Sequence, residues 1–102
     1  MIISFDLDGT YLAHPEVFDQ LADMLQESGH EVGILTNRHE NDRPEIGFDT
    51  DFEFFLGQDS DKMDVQERCM GKAETMMIEG IDLHYDDEAD FFPDYVNVIK
   101  IV

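Results

Sequence analysis

The chain has little cysteine, little positive charge and no long apolar run, and each shortage narrows the class of protein it can belong to. Its single cysteine, Cys69, excludes an internal disulfide framework. Lysine and arginine together number 6 against 25 aspartates and glutamates, so the formal net charge is -19. Because this charge would repel a phosphate backbone, extended nucleic-acid binding is not expected. No apolar run approaches the length that crosses a bilayer, so no membrane partner is expected either.

The composition that remains is typical of one small folded domain. The chain of 102 residues is long enough for one core, and its hydrophobic fraction of 42% is too high for a disordered acidic tail. We therefore expect a single domain over 1–102 with a solvated acidic shell. Such a shell suits a salt-rich cytoplasm, because dissolved ions screen the repulsion between surface carboxylates. Since no basic-then-apolar signal segment is visible, the sequence predicts a soluble, cytoplasmic and halophilic protein.

Segments with strand and helix patterns alternate along the chain. Strands are predicted over 2–6, 31–37, 52–57, 81–87 and 96–102, and helices over 15–28 and about 63–79. The helices carry apolar stripes at helical spacing, formed by Val17, Phe18, Leu21 and Leu25 on the first and by Val65, Cys69, Ala73 and Met76 on the second. The alternation predicts an α/β fold, a three-layer Rossmann-like arrangement in which helices flank a parallel five-stranded sheet.

Acidic and hydroxyl side chains follow three of the predicted strands. Asp6 and Asp8 come at the end of the first strand, Thr36 at the end of the second, and Asp86 with Asp87 at the end of the fourth. Ligands of open parallel sheets bind at the carboxyl ends of the strands, so these side chains are expected to share one edge. An aspartate fixed at a strand tip can be aimed as a nucleophile. A second aspartate, two residues on, can protonate a leaving oxygen and later deprotonate a water.

The other residues expected at this edge suit a phosphate group and a hard cation. Thr36 and the N–H groups after it can donate hydrogen bonds to phosphate oxygens, and Lys72 supplies positive charge among the carboxylates. Asp86 and Asp87 would complete an all-oxygen shell for Mg²⁺. That ion would offset the repulsion between the carboxylates and an incoming phosphate. The sequence therefore predicts a phosphorylated substrate and Mg²⁺ as cofactor.

Four segments resemble, in order, the motifs of the haloacid dehalogenase-like superfamily of phosphohydrolases. The stretch "DLDGT" at 6–10 is similar to the first motif, and "ILTNR" at 34–38 is similar to the second. The stretch "GKAETMMIEGIDLHYDDEADF" at 71–91 is similar to the third and fourth, in which a lysine precedes an apolar-apolar-Asp-Asp strand by about a helix. The resemblance covers nearly the whole chain in family order, and it implies the family's three-layer α/β core.

The resemblance implies a role for each matched acidic residue. Asp6 would be the nucleophile that forms an aspartyl-phosphate, and it would also ligate Mg²⁺. Asp8 would be the general acid/base and would give its backbone carbonyl to Mg²⁺. Asp87 would ligate Mg²⁺, with Asp86 beside it as a ligand or as an orienting group. The implied activity is that of a Mg²⁺-dependent phosphatase, which hydrolyses a phosphate monoester through the aspartyl-phosphate.

The resemblance also implies which residues hold the substrate. Thr36 would bind the transferring phosphoryl group, and Lys72 would neutralise the nucleophile and the phosphate. The other candidate substrate-binding residues within these motifs are Gly9, Thr10, Asn37 and Arg38. The polar stretch 38–51 is predicted to be a loop, and His39, which follows Arg38 in it, could also touch the substrate.

The spacing between the motifs leaves no room for a cap domain. About 25 residues separate the first motif from the second, and the first predicted helix uses most of them. The chain thus resembles a minimal, capless family member, whose open site implies as substrate either a small molecule or an exposed phosphate on a macromolecule. An exposed part of Phe91, Phe92 and Tyr95 could form a dimer contact, although the sequence does not fix the oligomeric state.

Simpler interpretations stay open for the same residues. Asp6 and Asp8 could form a solvated turn in an acidic protein, and Asp86 with Asp87 could cap a helix. Lys72 could make a surface salt bridge. Lys62 is the rival of Lys72 for the role beside the carboxylates. Three functional alternatives also remain: a phosphotransferase with the same intermediate, a catalytically silent cation- or protein-binding module, and a domain that needs a partner subunit over its site.

Overall fold

The computed structural model of the chain describes residues 1–59 and 61–102. Its strands are β1 Ile2–Phe5, β2 Glu31–Thr36, β3 Glu53–Phe55, β4 Leu83–Asp86 and β5 Val98–Lys100, and its helices are α1 Pro15–Glu27 and α2 Val65–Glu79. Single 3-10 turns occur at Tyr11–Ala13, Glu40–Asp42 and Ala89–Phe91. The strands form one sheet in the order β3-β2-β1-β4-β5, and each neighbouring pair is parallel. The predicted α/β fold with a parallel five-stranded sheet is confirmed.

The two helices lie on opposite faces of the sheet, which gives the three layers. Successive side chains of a strand point to opposite faces, so β1 directs Ile3 and Phe5 to one side and Ser4 to the other. Phe5 packs with Phe18 of α1, at a ring-centroid distance of 4.8 Å. On the opposite face, Met76 of α2 joins the smaller second core cluster. One helix on each face is a small number for this kind of fold, but it covers both sides of the central strands.

Local sequence signals set the ends of both helices. Pro15 occupies the first turn of α1, where its missing N–H costs no hydrogen bond. The Asp64 carboxylate caps α2 by accepting a hydrogen bond from the Glu67 N–H at 2.8 Å. Gly80 ends α2 in the left-handed conformation, with φ 71°. These ends carry the chain directly into the following strands, so that the strand tips collect at one edge of the sheet.

Several predicted boundaries are wrong in detail. β3 and β5 contain three residues each, because only part of each predicted apolar run pairs with its neighbour. Val17 is 63% exposed although the stripe on α1 predicted it to be buried. The inward face of α1 is instead centred on Phe18 and Ala22, both of which are buried. Within the predicted loop 38–51, Glu40–Asp42 forms a 3-10 turn.

The loop between β2 and β3 is fixed to the core by two aromatic residues. The Tyr11 hydroxyl donates to Asp19 Oδ1 at 2.6 Å and accepts from the Gly47 N–H at 2.8 Å. Phe48 is buried and packs on Phe5. This loop therefore covers the α1 face of the core.

In the described part of the chain, the helices have 13 and 15 residues, and neither has the length and apolar character needed to cross a bilayer.

The acidic surface leads to a prediction about salt. The formal net charge of -19 implies strong self-repulsion in the folded state, which salt screens within a Debye length of about 10 Å at 0.1 M. We expect the melting temperature to rise between 0.05 and 2 M KCl, by roughly 4–8 °C for each kcal/mol of repulsion relieved. Thermal melts monitored by circular dichroism test this, with sucrose as an uncharged control for solute exclusion. A melting temperature that ignores KCl, or rises equally in sucrose, would contradict it.

Candidate active site

Three neighbouring strands deliver polar side chains to one cavity at the carboxyl edge of the sheet. Asp6 follows β1, Thr36 ends β2, and the Asp86–Asp87 pair lies at the end of β4. The cavity has a volume of about 510 Å³ and is open on one side. It is lined by Asp6, Asp8, Gly9, Thr36, Asn37, Arg38, His39, Asp42, Gln58, Asp59, Arg68, Lys72, Asp87 and Glu88. The cavity thus lies at the sheet edge where the sequence predicted a site.

Lys72 is the buried cation of the cavity. It is 1% exposed, and its Nζ lies 3.2 Å from Asp6 Oδ1 and 2.6 Å from Asp86 Oδ2. Burial acts to lower the pKa of the Lys72 ammonium, but the carboxylates of Asp6 and Asp86 outweigh it and hold that pKa above its usual value. Lys72 therefore stays charged and links the tip of β1 to the tip of β4. Lys62, its rival in the sequence, is largely exposed and pairs with Asp59 at 3.9 Å.

Asp6 lies at the base of the cavity in a site that disfavours its charge. Burial and the nearby Asp86 carboxylate raise its pKa to about 7, against the lowering effect of Lys72. The raised pKa thus comes mainly from the removal of water around the carboxyl group, and a further cation bound beside Asp6 would lower that pKa.

Asp86 lies at the centre of a buried hydrogen-bond network. Its Oδ2 accepts from Lys72 Nζ and from His84 Nε2 at 2.9 Å, and its Oδ1 accepts from the Glu88 N–H at 2.9 Å. Since Nε2 donates to Asp86, the neutral His84 ring accepts at Nδ1 from the Ser4 hydroxyl at 2.7 Å. Burial lowers the pKa of His84, so the ring is neutral. Asp86 is 0% exposed, and its network holds the Lys72 ammonium in place.

Asp87 lies on the surface side of the same strand tip. Its N–H donates to Thr10 Oγ1 at 3.1 Å, which ties the loop after β4 to the loop after β1. Its carboxylate rests on Gly9, whose φ of 74° suits glycine and where an added Cβ would overlap that carboxylate. Carboxylate oxygens of Asp6, Asp86 and Asp87 lie within 4.8 Å of one another, a spacing that a single hard cation can bridge.

Asp8 makes a two-pronged ion pair with Arg38 at the mouth of the cavity. Arg38 Nε donates to Asp8 Oδ2 at 2.9 Å, and Nη2 donates to Asp8 Oδ1 at 2.8 Å. These hydrogen bonds lower the pKa of Asp8 below its usual value. Arg38 also donates through Nη1 to the Asp42 carbonyl at 3.0 Å, and its own N–H donates to Thr36 Oγ1 at 3.3 Å. Each Asp8 oxygen therefore accepts one hydrogen bond from Arg38.

The structure brings most of the predicted site residues together, with two departures. Gly9, Thr36, Asn37, Arg38 and Lys72 line the cavity alongside the acidic residues. Thr10, predicted to bind substrate, is buried beneath the cavity, where its hydroxyl accepts from the Asp87 backbone. Asp86, predicted as a ligand or orienter, is also outside the lining because Lys72, His84 and Glu88 use its oxygens.

Sequence reasoning missed several residues of this region, among them His84, Arg68 and Gln58. His84 lies two residues before Asp86 on the same face of β4 and pairs in register with Ser4, so strand alternation could have identified it. Arg68 lies one helical turn before Lys72 and donates to the Met63 carbonyl at 2.8 Å. No sequence signal marked Gln58, which lines the cavity from the loop after β3. Within the described ranges, buried amide oxygens of Asn37 and Gln58 accept no hydrogen bond.

The aromatic cluster suggested as a dimer contact is divided by the fold. Phe91 and Tyr95 are exposed, at 46% and 58%. Phe92 is half-buried behind the site, with its ring 5.6 Å from the His84 ring and 6.0 Å from Lys72 Nζ. Phe92 thus packs against the buried network and does not belong to an outer apolar surface.

Fold and cavity together define an α/β protein with an acidic, lysine-containing site at the carboxyl edge of a parallel sheet. Comparisons with protein-family models, with curated proteins and with solved structures found no significant match in any of the three. The chemistry of the site must therefore be inferred from its own geometry and from the motifs in the sequence.

Proposed function

We propose that the protein is a Mg²⁺-dependent phosphatase that hydrolyses a phosphate monoester through an aspartyl-phosphate on Asp6. The observation that carries the proposal is the placement of Asp6: it lies at the base of an open cavity, 3.2 Å from the buried Lys72 ammonium. A carboxylate held by a strand tip and flanked by a fixed cation is suited to attack a phosphorus atom. The motifs that resemble the haloacid dehalogenase-like superfamily support the same assignment.

The distribution of positive charge favours an anionic ligand. The whole chain has 6 lysines and arginines, and three of them, Arg38, Arg68 and Lys72, line this one cavity. The same lining also carries six carboxylates, so an anionic ligand would be bound here together with a cation. Phosphate oxygens are natural partners for two guanidinium groups and an ammonium.

The acidic residues fit a divalent cation beside this phosphate site. Asp87 is exposed and directs its carboxylate over Gly9, and carboxylate oxygens of Asp6, Asp86 and Asp87 lie within 4.8 Å of one another. We assign Asp6, Asp87 and the backbone carbonyl of Asp8 as the groups that would hold Mg²⁺, with Asp86 as the residue that positions them. When bound, Mg²⁺ would supply charge neutralisation for the carboxylates and for the transferring phosphoryl group.

The proposed reaction has two steps. In the first, Asp6 Oδ attacks phosphorus, the bond from phosphorus to the leaving oxygen breaks, and that oxygen takes the proton of the acid form of Asp8, a form that the hydrogen bonds from Arg38 disfavour in the empty cavity. In the second, Asp8 takes a proton from water, the water oxygen attacks phosphorus, and Asp6 is released with inorganic phosphate. Thr36 and Lys72 hold phosphoryl oxygens during both steps, and Asp86 with His84 keeps Lys72 in position.

The substrate of this proposal carries an accessible phosphate. Because the cavity is open at its mouth, either a small phosphomonoester or a phosphate exposed on a macromolecule can reach its base. The overall charge disfavours a long nucleic-acid strand as substrate. A cytoplasmic location is part of the proposal, since its lone cysteine, which is buried, needs no oxidising compartment.

Hydrolysis of a generic aryl phosphate tests the proposed function directly. We expect turnover in Mg²⁺ that EDTA abolishes and that added Mg²⁺ restores. Acid quenching during turnover of a ³²P-labelled substrate should retain label on the protein in an acid-stable, hydroxylamine-labile form. Transfer of the label to an added alcohol in preference to water would identify a phosphotransferase. Mg²⁺ binding without turnover on any nucleotide, sugar phosphate or phosphopeptide would contradict catalysis and favour a binding module.

A further inference from the structure

Arg38, a cation that lines the cavity, forms an ion pair with Asp8, the proposed general acid/base. Arg38 gives two parallel hydrogen bonds to the two Asp8 oxygens, at 2.9 and 2.8 Å, and a third to the Asp42 carbonyl at 3.0 Å. In this arrangement each oxygen of Asp8 accepts a hydrogen bond from Arg38, and these bonds disfavour the protonated form of Asp8 that a leaving group would need. The guanidinium edge that faces Asp8 is also the edge that would bind a phosphate in a two-pronged manner.

Because Arg38 lines the cavity, a phosphate group bound there would compete with Asp8 for the Arg38 guanidinium. Arg38 follows Thr36 by two residues and lines the same cavity as Lys72, so all three side chains border the same space. A phosphate group, like a carboxylate, can present two acceptor oxygens to one guanidinium, and it carries more negative charge. It would lie between Arg38 and the buried Lys72, whereas the Asp8 side chain is 62% exposed.

We propose that Arg38 is a ligand-released latch: it holds Asp8 in the empty cavity, and an entering phosphate group takes over its guanidinium and frees the Asp8 carboxylate. The catalytic consequence rests on the proposed function, because a free Asp8 is useful only to a reaction that transfers protons. The binding consequence does not, since competition between phosphate and Asp8 for Arg38 exists whether or not the protein turns a substrate over.

The latch is weak enough to open. The Arg38 and Asp8 side chains are 30% and 62% exposed, and ion pairs with this much contact with water are easily replaced. Moving the guanidinium from Asp8 toward the cavity can leave the backbone of the loop in place, because the Arg38 N–H is tied separately to Thr36 Oγ1. The change is therefore a side-chain movement and needs no rearrangement of the sheet.

Binding of inorganic phosphate in the presence of Mg²⁺ tests the latch. In Asp8→Asn the competitor of phosphate is weakened, so calorimetry should show an affinity about two- to fivefold higher, the range expected for an exposed ion pair. In Arg38→Gln this gain from Asp8→Asn should disappear, because no guanidinium remains to be released. Asp42→Asn is the matched control: it removes a negative charge from the same cavity but leaves the carbonyl that binds Arg38, and it should gain less than Asp8→Asn.

A spectroscopic measurement reports on Arg38 itself. Phosphate added to ¹⁵N-labelled protein should move the Arg38 Nε–H resonance, and the free position in Asp8→Asn should differ from that of the original chain. Phosphate binding that leaves this resonance unmoved, or an equal gain from Asp8→Asn with and without Arg38, would overturn the latch while leaving the proposed phosphatase intact. Movement of the resonance in a protein that hydrolyses no phosphomonoester would support the latch and overturn the proposed function.

Discussion

Asp6→Asn is expected to abolish Mg²⁺-dependent aryl phosphate hydrolysis, with a loss on the order of 10⁴-fold or more in kcat. The amide cannot form the aspartyl-phosphate, so the labelled acid-stable intermediate should also be absent. Asp42→Asn provides the matched control, because it makes the same chemical change at an exposed position of the same cavity. Its kcat should stay within about tenfold of the original value, below the roughly 10²-fold at which the contribution of a proton-transferring group begins.

The same substitution is expected to make the metal-free fold more stable. Burial raises the pKa of Asp6 from 3.8 to about 7, so the folded state holds this proton more tightly than the unfolded state does. The cost of ionising Asp6 therefore grows as pH rises from about 4 to about 7 and is constant above that range. An asparagine does not ionise, and Asp6→Asn should add roughly 2–4 kcal/mol to the unfolding free energy at pH 8.

Urea unfolding in EDTA at pH 5 and pH 8 measures this effect. The gain from Asp6→Asn should be larger at pH 8, and saturating Mg²⁺ should reduce it by stabilising the original carboxylate. An activity that survives the substitution would remove Asp6 from the proposed role of nucleophile. A loss of stability at pH 8 would show that the Asp6 charge contributes more through Lys72 than burial takes away.

Most of the fold could be predicted from the sequence, because the local sequence patterns agree with the tertiary packing. The apolar runs around Ile3, Ile34 and Leu83 alternate with amphipathic helices, and that order predicts a parallel sheet with little ambiguity. Strand lengths were harder to predict, since Phe52 and Val96 belong to apolar runs but lie outside the ladders. Apolar character shows where a segment is buried, whereas pairing depends on neighbouring strands that the segment itself does not specify.

The gathering of the site residues at one edge was predictable for a different reason. The carboxyl ends of parallel strands meet, so Asp6, Thr36 and Asp87 had to come close once the sheet was correct. The ion pair of Arg38 with Asp8 was not predicted, because it joins two loops whose paths no periodicity determines. The role of His84 beside Asp86 was not predicted, although the two residues share one face of β4 by strand alternation.

Lys72→Met is expected to destabilise the protein by about 3–5 kcal/mol at pH 8 in EDTA, the cost of removing one partner from a buried ion pair. Methionine is similar in length and apolar, so little packing is lost. The variant would leave the carboxylates of Asp6 and Asp86, which lie 3.2 and 2.6 Å from Lys72 Nζ, without their buried cation. His84 and the Glu88 N–H would still bind Asp86, whereas Asp6 would lose its direct ionic partner.

The pH dependence separates this charge effect from a packing effect. Without the ammonium, the pKa of Asp6 in the folded state should rise further above its unfolded value, and the pKa of Asp86, which the folded state holds below its usual value, should move up toward it. Stability should then fall more steeply with rising pH in Lys72→Met than in the original chain, and the difference should be smaller at pH 5 than at pH 8. Lys72 itself does not contribute to this slope, because its raised pKa keeps it charged in both states over this range.

Lys100→Met is the matched control for Lys72→Met. Lys100 Nζ lies 2.5 Å from Asp90 Oδ2, a contact as short as that of Lys72, but its side chain is 49% exposed. Its removal should change stability by no more than about 1 kcal/mol, since water replaces the lost partner. Equal losses for the two variants, or a loss in Lys72→Met that does not vary with pH, would contradict the electrostatic account. A larger, pH-dependent loss in Lys72→Met alone would show that burial is what makes this lysine indispensable to the strand tips it joins.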